Sequence, residues 1–123
     1  MLTVSTLLPV APALASQSSA MFDRSKVVTL AGVIKEFQYA DPHSLLFIDV
    51  TDADGKITTW KFEAEGSGTL MRAGIHQGDL LPGTRVTIKG NPMRDGRPAA
   101  NWIELIRNQD GKVFNPHRDS QSK

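Results

Sequence analysis

From Val27 onward, apolar and polar positions follow a two-residue rhythm, and clusters of Gly, Pro, Asp and Asn interrupt it. That rhythm is the signature of half-buried strands separated by turns. Val27 to Tyr39 is long for one strand, and its inward parity changes. Val28, Leu30, Gly32 and Ile34 share one face, whereas Phe37 and Tyr39 have the opposite parity. A bulge near Lys35 and Glu36, with Gly32 easing the bend, is therefore predicted. Asp41-Pro42-His43-Ser44 breaks the run, and Leu45 to Thr51 is apolar at most positions, as in a strand folded into a small barrel or covered on both sides. Asp52-Ala53-Asp54-Gly55 predicts a hairpin turn into Lys56 to Glu63, with Thr58, Trp60 and Phe62 on one face.

The single helical signal follows. Ser67 is placed to cap a short helix carrying Leu70 and Met71, and Gly74 to stop it. Leu81-Pro82-Gly83 turns into a strand over Arg85 to Gly90, Arg94-Asp95-Gly96-Arg97 turns into a fifth over Ala99 to Arg107, and Asn108-Gln109-Asp110-Gly111 leads to a short edge over Lys112 to Phe114. Three strands, a short helix and two more strands give the expected fold: all-β with one short helix, a small five-stranded Greek-key barrel, OB-fold-like. Its core is expected on Ile34, Ile48, Trp60, Phe62, Val86 and Ile88. One barrel domain is expected over residues 20–114, with a disordered tail over 115–123.

The first fifteen residues change the picture. They carry no charge, ten of them are apolar, and they end in Ala13-Leu14-Ala15. This is the h-region and small-x-small cleavage pattern of a signal peptide over 1–15, too short and too Pro-interrupted to span a bilayer. The Lys or Arg that usually precedes an h-region is missing, which points to a start upstream of Met1. The expected location is periplasmic or secreted, with no integral membrane segment in the mature chain. Of the 123 residues, 40% are apolar and 22% charged, and 14 Lys plus Arg stand against 13 Asp plus Glu. The resulting charge of +1 is that of a soluble domain, not of a basic nucleic-acid arm. With no Cys, disulfides, thiolate metal sites and thiol catalysis are excluded.

Candidate chemistry is sparse. His43, His76 and His117 lie 33 and 41 residues apart, so no pair has the close spacing of ligands on one element; copper or zinc binding through His43 and His76 is an alternative, and no metal or other cofactor is expected. The Gly of Asp52-Ala53-Asp54-Gly55 is at position 4, where a calcium loop needs it at position 6. Nucleophile elbows and phosphate-binding glycine loops are missing, and Glu63 with Glu65 reads as the solvated end of a strand, so the protein is expected not to be an enzyme. Trp60, Phe62, Tyr39 and Trp102 with Lys35, Lys61, Arg85 and Lys89 could form a single-stranded nucleic-acid surface, but the low net charge and the export signal argue against a nucleic-acid partner. Arg72 on the helix could hold an anion or bridge to the barrel.

Together Ala20-Met21-Phe22-Asp23, Pro42-His43-Ser44, Asp52-Ala53-Asp54-Gly55-Lys56, Trp60, Arg72-Ala73-Gly74, Pro82-Gly83, Asp95-Gly96 and Asp110-Gly111 resemble a family of small exported bacterial proteins of unknown function, domain of unknown function 6152. The resemblance runs from Ala20 to Phe114. Its usual pattern implies Ala-His-His after the signal, an Asn-Pro-His turn, and Trp after Arg-x-Gly. Here Ser16 and Gln17, Asp41 and Ile75 stand at those places. The missing histidine pair implies that any copper chelation through that arm is weak or lost in this member. The expected function is a monomeric, non-catalytic binding module for a small ligand or protein, acting through the turn at Tyr39, Asp41 and His43, with Arg72 nearby.

Overall fold

A computed structural model describes residue 3 and residues 20–117. The expected signal segment, Thr3 apart, and the tail beyond His117 lie outside the described residues. Six strands, β1 (Val28–Gln38), β2 (His43–Thr51), β3 (Ile57–Glu65), β4 (Arg85–Pro92), β5 (Ala99–Arg107) and β6 (Val113–Phe114), form one sheet in the order β3-β2-β1-β4-β5-β6. Neighbours pair antiparallel, and a parallel contact of β3 with β5 at Lys61–Glu63 closes the first five strands into a barrel. The circuit is compatible with the OB arrangement, with helix α1 (Ser67–Arg72) between β3 and β4. Among the described residues, no helix is long and apolar enough to cross a membrane.

The predicted bulge lies where the parity changed. The β1–β2 register shifts between Ile34 and Glu36, which lets Ile34 and Phe37 both point inward. Gly32 sits where β2 comes closest, since a Cβ there would lie 2.5 Å from the Asp49 carbonyl and 2.6 Å from the Ile48 side chain. Ile34, Ile48, Phe62, Val86 and Ile88 are at most 1% exposed. Trp60 is only half-buried, packing against the core rather than within it, and Trp102 takes the central place. Parallel pairing of β3 with β5 is confined to Lys61–Glu63, so Trp60 lies just outside that seam. Val113–Phe114 is held by Arg107, whose guanidinium lies over the Phe114 ring and pairs with Asp110 at 2.6 Å, holding that carboxyl down to about 2. In the expected tail, Pro116 is buried and the Asn115 side chain accepts from the His117 N–H, so the chain still packs on the domain there.

Candidate binding surface

The turn singled out in the sequence is built around helix α1. Gly66, not Ser67, is the N-cap, and it has no side chain with which to cap. Asp41 supplies the acceptor from the β1–β2 turn: its Oδ1 accepts from the Ser67 N–H at 3.0 Å and its Oδ2 from the Ser67 hydroxyl at 3.0 Å. Any Cβ on Gly66 would collide with Asp41 Oδ1, so the missing side chain makes room for the borrowed cap. The buried Ser44 hydroxyl accepts from the Ala40 N–H and donates to the Ala40 carbonyl, closing the turn around a cis Asp41-Pro42 bond. At the far end of α1, Gly74 has φ +83°, and the Gly74 and Ile75 N–H groups bond back to Met71 and Leu70. This is a Schellman stop that buries Ile75 against Leu70. The Tyr39 hydroxyl donates to the Ile75 carbonyl at 2.9 Å, and burial, then Asp79, then Asp41 raise its pKa.

Tyr39 and Asp41 are therefore brought together as clamps on α1, and their polar atoms are engaged. Replacing Asp41 by Ala should cost about 1 kcal/mol, the usual value of a lost cap, whereas Asn, which offers the same acceptor oxygen, should be nearly neutral. His43 is exposed, and His43→Ala is expected to change stability by no more than about 0.5 kcal/mol. Thermal melts of the three variants check both statements; an equal loss in Asp41→Asn and Asp41→Ala would contradict the cap.

The other candidates disperse. Arg72 donates to Thr69 on its own helix at 3.1 Å rather than bridging to the barrel. His76 caps the short 3-10 turn Gln77–Asp79, with its Nδ1 3.4 Å from Asp79 Oδ2, while His43 pairs across the sheet with Glu65. Among the described residues, no three His, Asp or Glu side chains are grouped so as to hold a metal ion. Asp52 Oδ1 accepts from the Asp54 and Lys56 N–H groups, as in a hairpin turn. Of the aromatic set, Phe62 and Trp102 are fully buried and so present no stacking face, and Lys89 pairs with Glu104.

One surface escaped the reading of single motifs. In β2, Ser44, Leu46 and Ile48 are buried while Leu45 and Phe47, between them, are half-buried and face out of the barrel. Cross-strand partners share a face, so two outer rows run Glu36–Phe47–Lys61–Ala99 and Gln38–Leu45–Glu63–Asn101. Beside them lies a small cleft lined by Met21, Phe22, Met93 and Ala99 between Lys61 and Glu63. Phe22, Met93 and Ala99 form a second apolar cluster apart from the barrel core. The sequence signal was there, in the unbroken Leu45-Leu46-Phe47-Ile48, whose odd positions are not needed inside.

A model of the family of unknown function DUF6152 matches residues 6–112. The chain belongs to that family. No curated protein and no solved structure matches it. In this DUF6152 member, many of the residues that carry the resemblance are conformational. Gly55, Gly74, Gly83, Gly96 and Gly111 all have positive φ, and each ends a turn or a helix. The resemblance therefore reports largely on how the DUF6152 barrel turns its corners. The outward pair Leu45 and Phe47 lies outside those motifs.

Proposed function

We propose that the protein is an exported, non-catalytic binding module, acting in the periplasm or outside the cell. Export is supported by the uncharged apolar run that ends in Ala13-Leu14-Ala15. Binding is supported by one observation above all: Leu45 and Phe47 point outward beside the Met21, Phe22 and Met93 cleft, where they add nothing to the barrel core. Apolar side chains gathered on an outer wall are the ordinary mark of a contact surface. This moves the expected site from the Tyr39 and Asp41 turn onto the adjoining sheet, with His43 at its border.

NMR solvent mapping tests the reading. On titration of the isotope-labelled protein with isopropanol, amide shifts should concentrate on Leu45, Phe47, Lys61 and Ala99. Shifts spread evenly over the surface, or gathered at another cleft, would sink it.

A further inference from the structure

The charges on this outer wall are not balanced. Every odd-numbered position of β2 and β3 faces outward, which places Asp49, Glu63 and Glu65 there, and Glu36 joins them opposite Phe47. The cations of the same wall are Lys61, Lys35 at the β1 bulge, and Arg85 of β4, which lies beyond Val33 on the row of Asp49 and lines one cleft with it, with the exposed His43 at the edge. Four carboxylates against three cations leave the wall net negative by one, although the whole chain carries +1. The remainder of the chain is therefore basic, with 11 Lys plus Arg against 9 Asp plus Glu. Asp49 is fixed by the Thr59 hydroxyl, which donates to it at 2.6 Å. About one strand spacing to either side, Phe47 has Glu36 and Lys61 and Leu45 has Gln38 and Glu63, while Asp49 and Glu65 stand farther along β2 and β3.

We infer that this wall docks a cationic amphipathic polypeptide segment of a partner protein, its apolar side chains on Leu45 and Phe47 and its Lys or Arg groups on the surrounding carboxylates. The inference rests on the binding-module reading above and adds the chemistry of the occupant. Charge complementarity selects it. A phosphate backbone would meet a repulsive field here, and a purely apolar ligand would make no use of the acidic frame. An extended segment suits the site because its side chains alternate at about 7 Å, the spacing of Leu45 and Phe47 along β2.

The probe is a fluorescein-labelled nonapeptide of alternating Lys and Leu, titrated with the full chain and followed by fluorescence anisotropy. A Glu–Leu peptide and an oligothymidine serve as comparisons. Saturable binding of the Lys–Leu peptide is expected, weakened about tenfold by the double variant Glu36→Lys/Glu65→Lys and about tenfold by Phe47→Ser. Melting temperatures confirm that the variants fold; if Phe47→Ser melts early, the charge-reversed variant alone decides. Undiminished binding by the charge-reversed variant overturns the inference, as does tighter binding of the Glu–Leu peptide or the oligonucleotide. If neither peptide binds while isopropanol shifts still mark Leu45 and Phe47, the cationic occupant falls and the binding surface stands. If those shifts are missing as well, both fall.

Discussion

Replacing Trp102 by Ala should destabilise the domain by about 3–5 kcal/mol, a large part of the ~5–15 kcal/mol available to a domain of this size. The indole is fully buried in β5, with the Phe37 ring edge-on at 6.1 Å and Tyr39 continuing the stack from Phe37 at 5.5 Å. Truncation leaves a cavity in a core with no disulfide to limit the loss. At roughly 4–8 °C per kcal/mol, the melting temperature should fall by on the order of 20 °C. Trp102→Phe separates volume from polarity. The buried Nε1 has no hydrogen-bond partner among the described residues, so Phe removes an unsatisfied donor while keeping most of the ring. The expected loss is then well under half that of Trp102→Ala. If both variants melt alike, Nε1 has a partner, such as a buried water, and that bond sustains the core.

Trp102 also shows where sequence reading reached its limit. Local pattern identified the five barrel strands and the short edge strand, the bulge at Lys35 and the turns at Gly55, Gly83 and Gly96, because each depends on neighbours along the chain. Parity alone puts Trp60 in the core, and the parity is right: it pairs with the buried Ile48 and lies on the inward side with Phe62. Its partial exposure follows from the short β3–β5 seam, a pairing of segments nearly forty residues apart that no local pattern contains. The polar turn shows the same limit. Tyr39, Asp41 and His43 read as a functional turn because polar residues interrupt a strand; what local pattern does not contain is that Asp41 also holds Ser67, 26 residues away, and Tyr39 the Ile75 carbonyl, 36 residues away. The outward role of Leu45 and Phe47 was legible in principle from alternation, but an unbroken apolar run conceals which half is structural. The charge frame around them requires the cross-strand register, which brings Glu36, Glu63 and Glu65 from two different strands to one wall.

Register also governs the second large effect, Gly90→Ala. The β4–β5 ladder shifts between Lys89 and Gly90, which puts the Gly90 backbone against its neighbours. A Cβ there would stand 2.5 Å from the Asn101 carbonyl oxygen, 2.9 Å from Phe62 Cε2 and 3.0 Å from Ala100 Cβ. Two of these neighbours are fully buried, and the nearest is backbone held in the same ladder, so there is little freedom to yield. The φ of Gly90 is not positive, so the cost is steric overpacking of about 2–3 kcal/mol rather than backbone strain. Gly78→Ala provides the contrast: nothing lies within 4 Å of its added Cβ, and its melting temperature should stay near that of the parent. Paired thermal melts decide the matter. Equal stability of the two variants would mean that the bulge opens at no cost, and that the β4–β5 register, on which the inward placement of Trp102 depends, is held by something other than the close approach at Gly90.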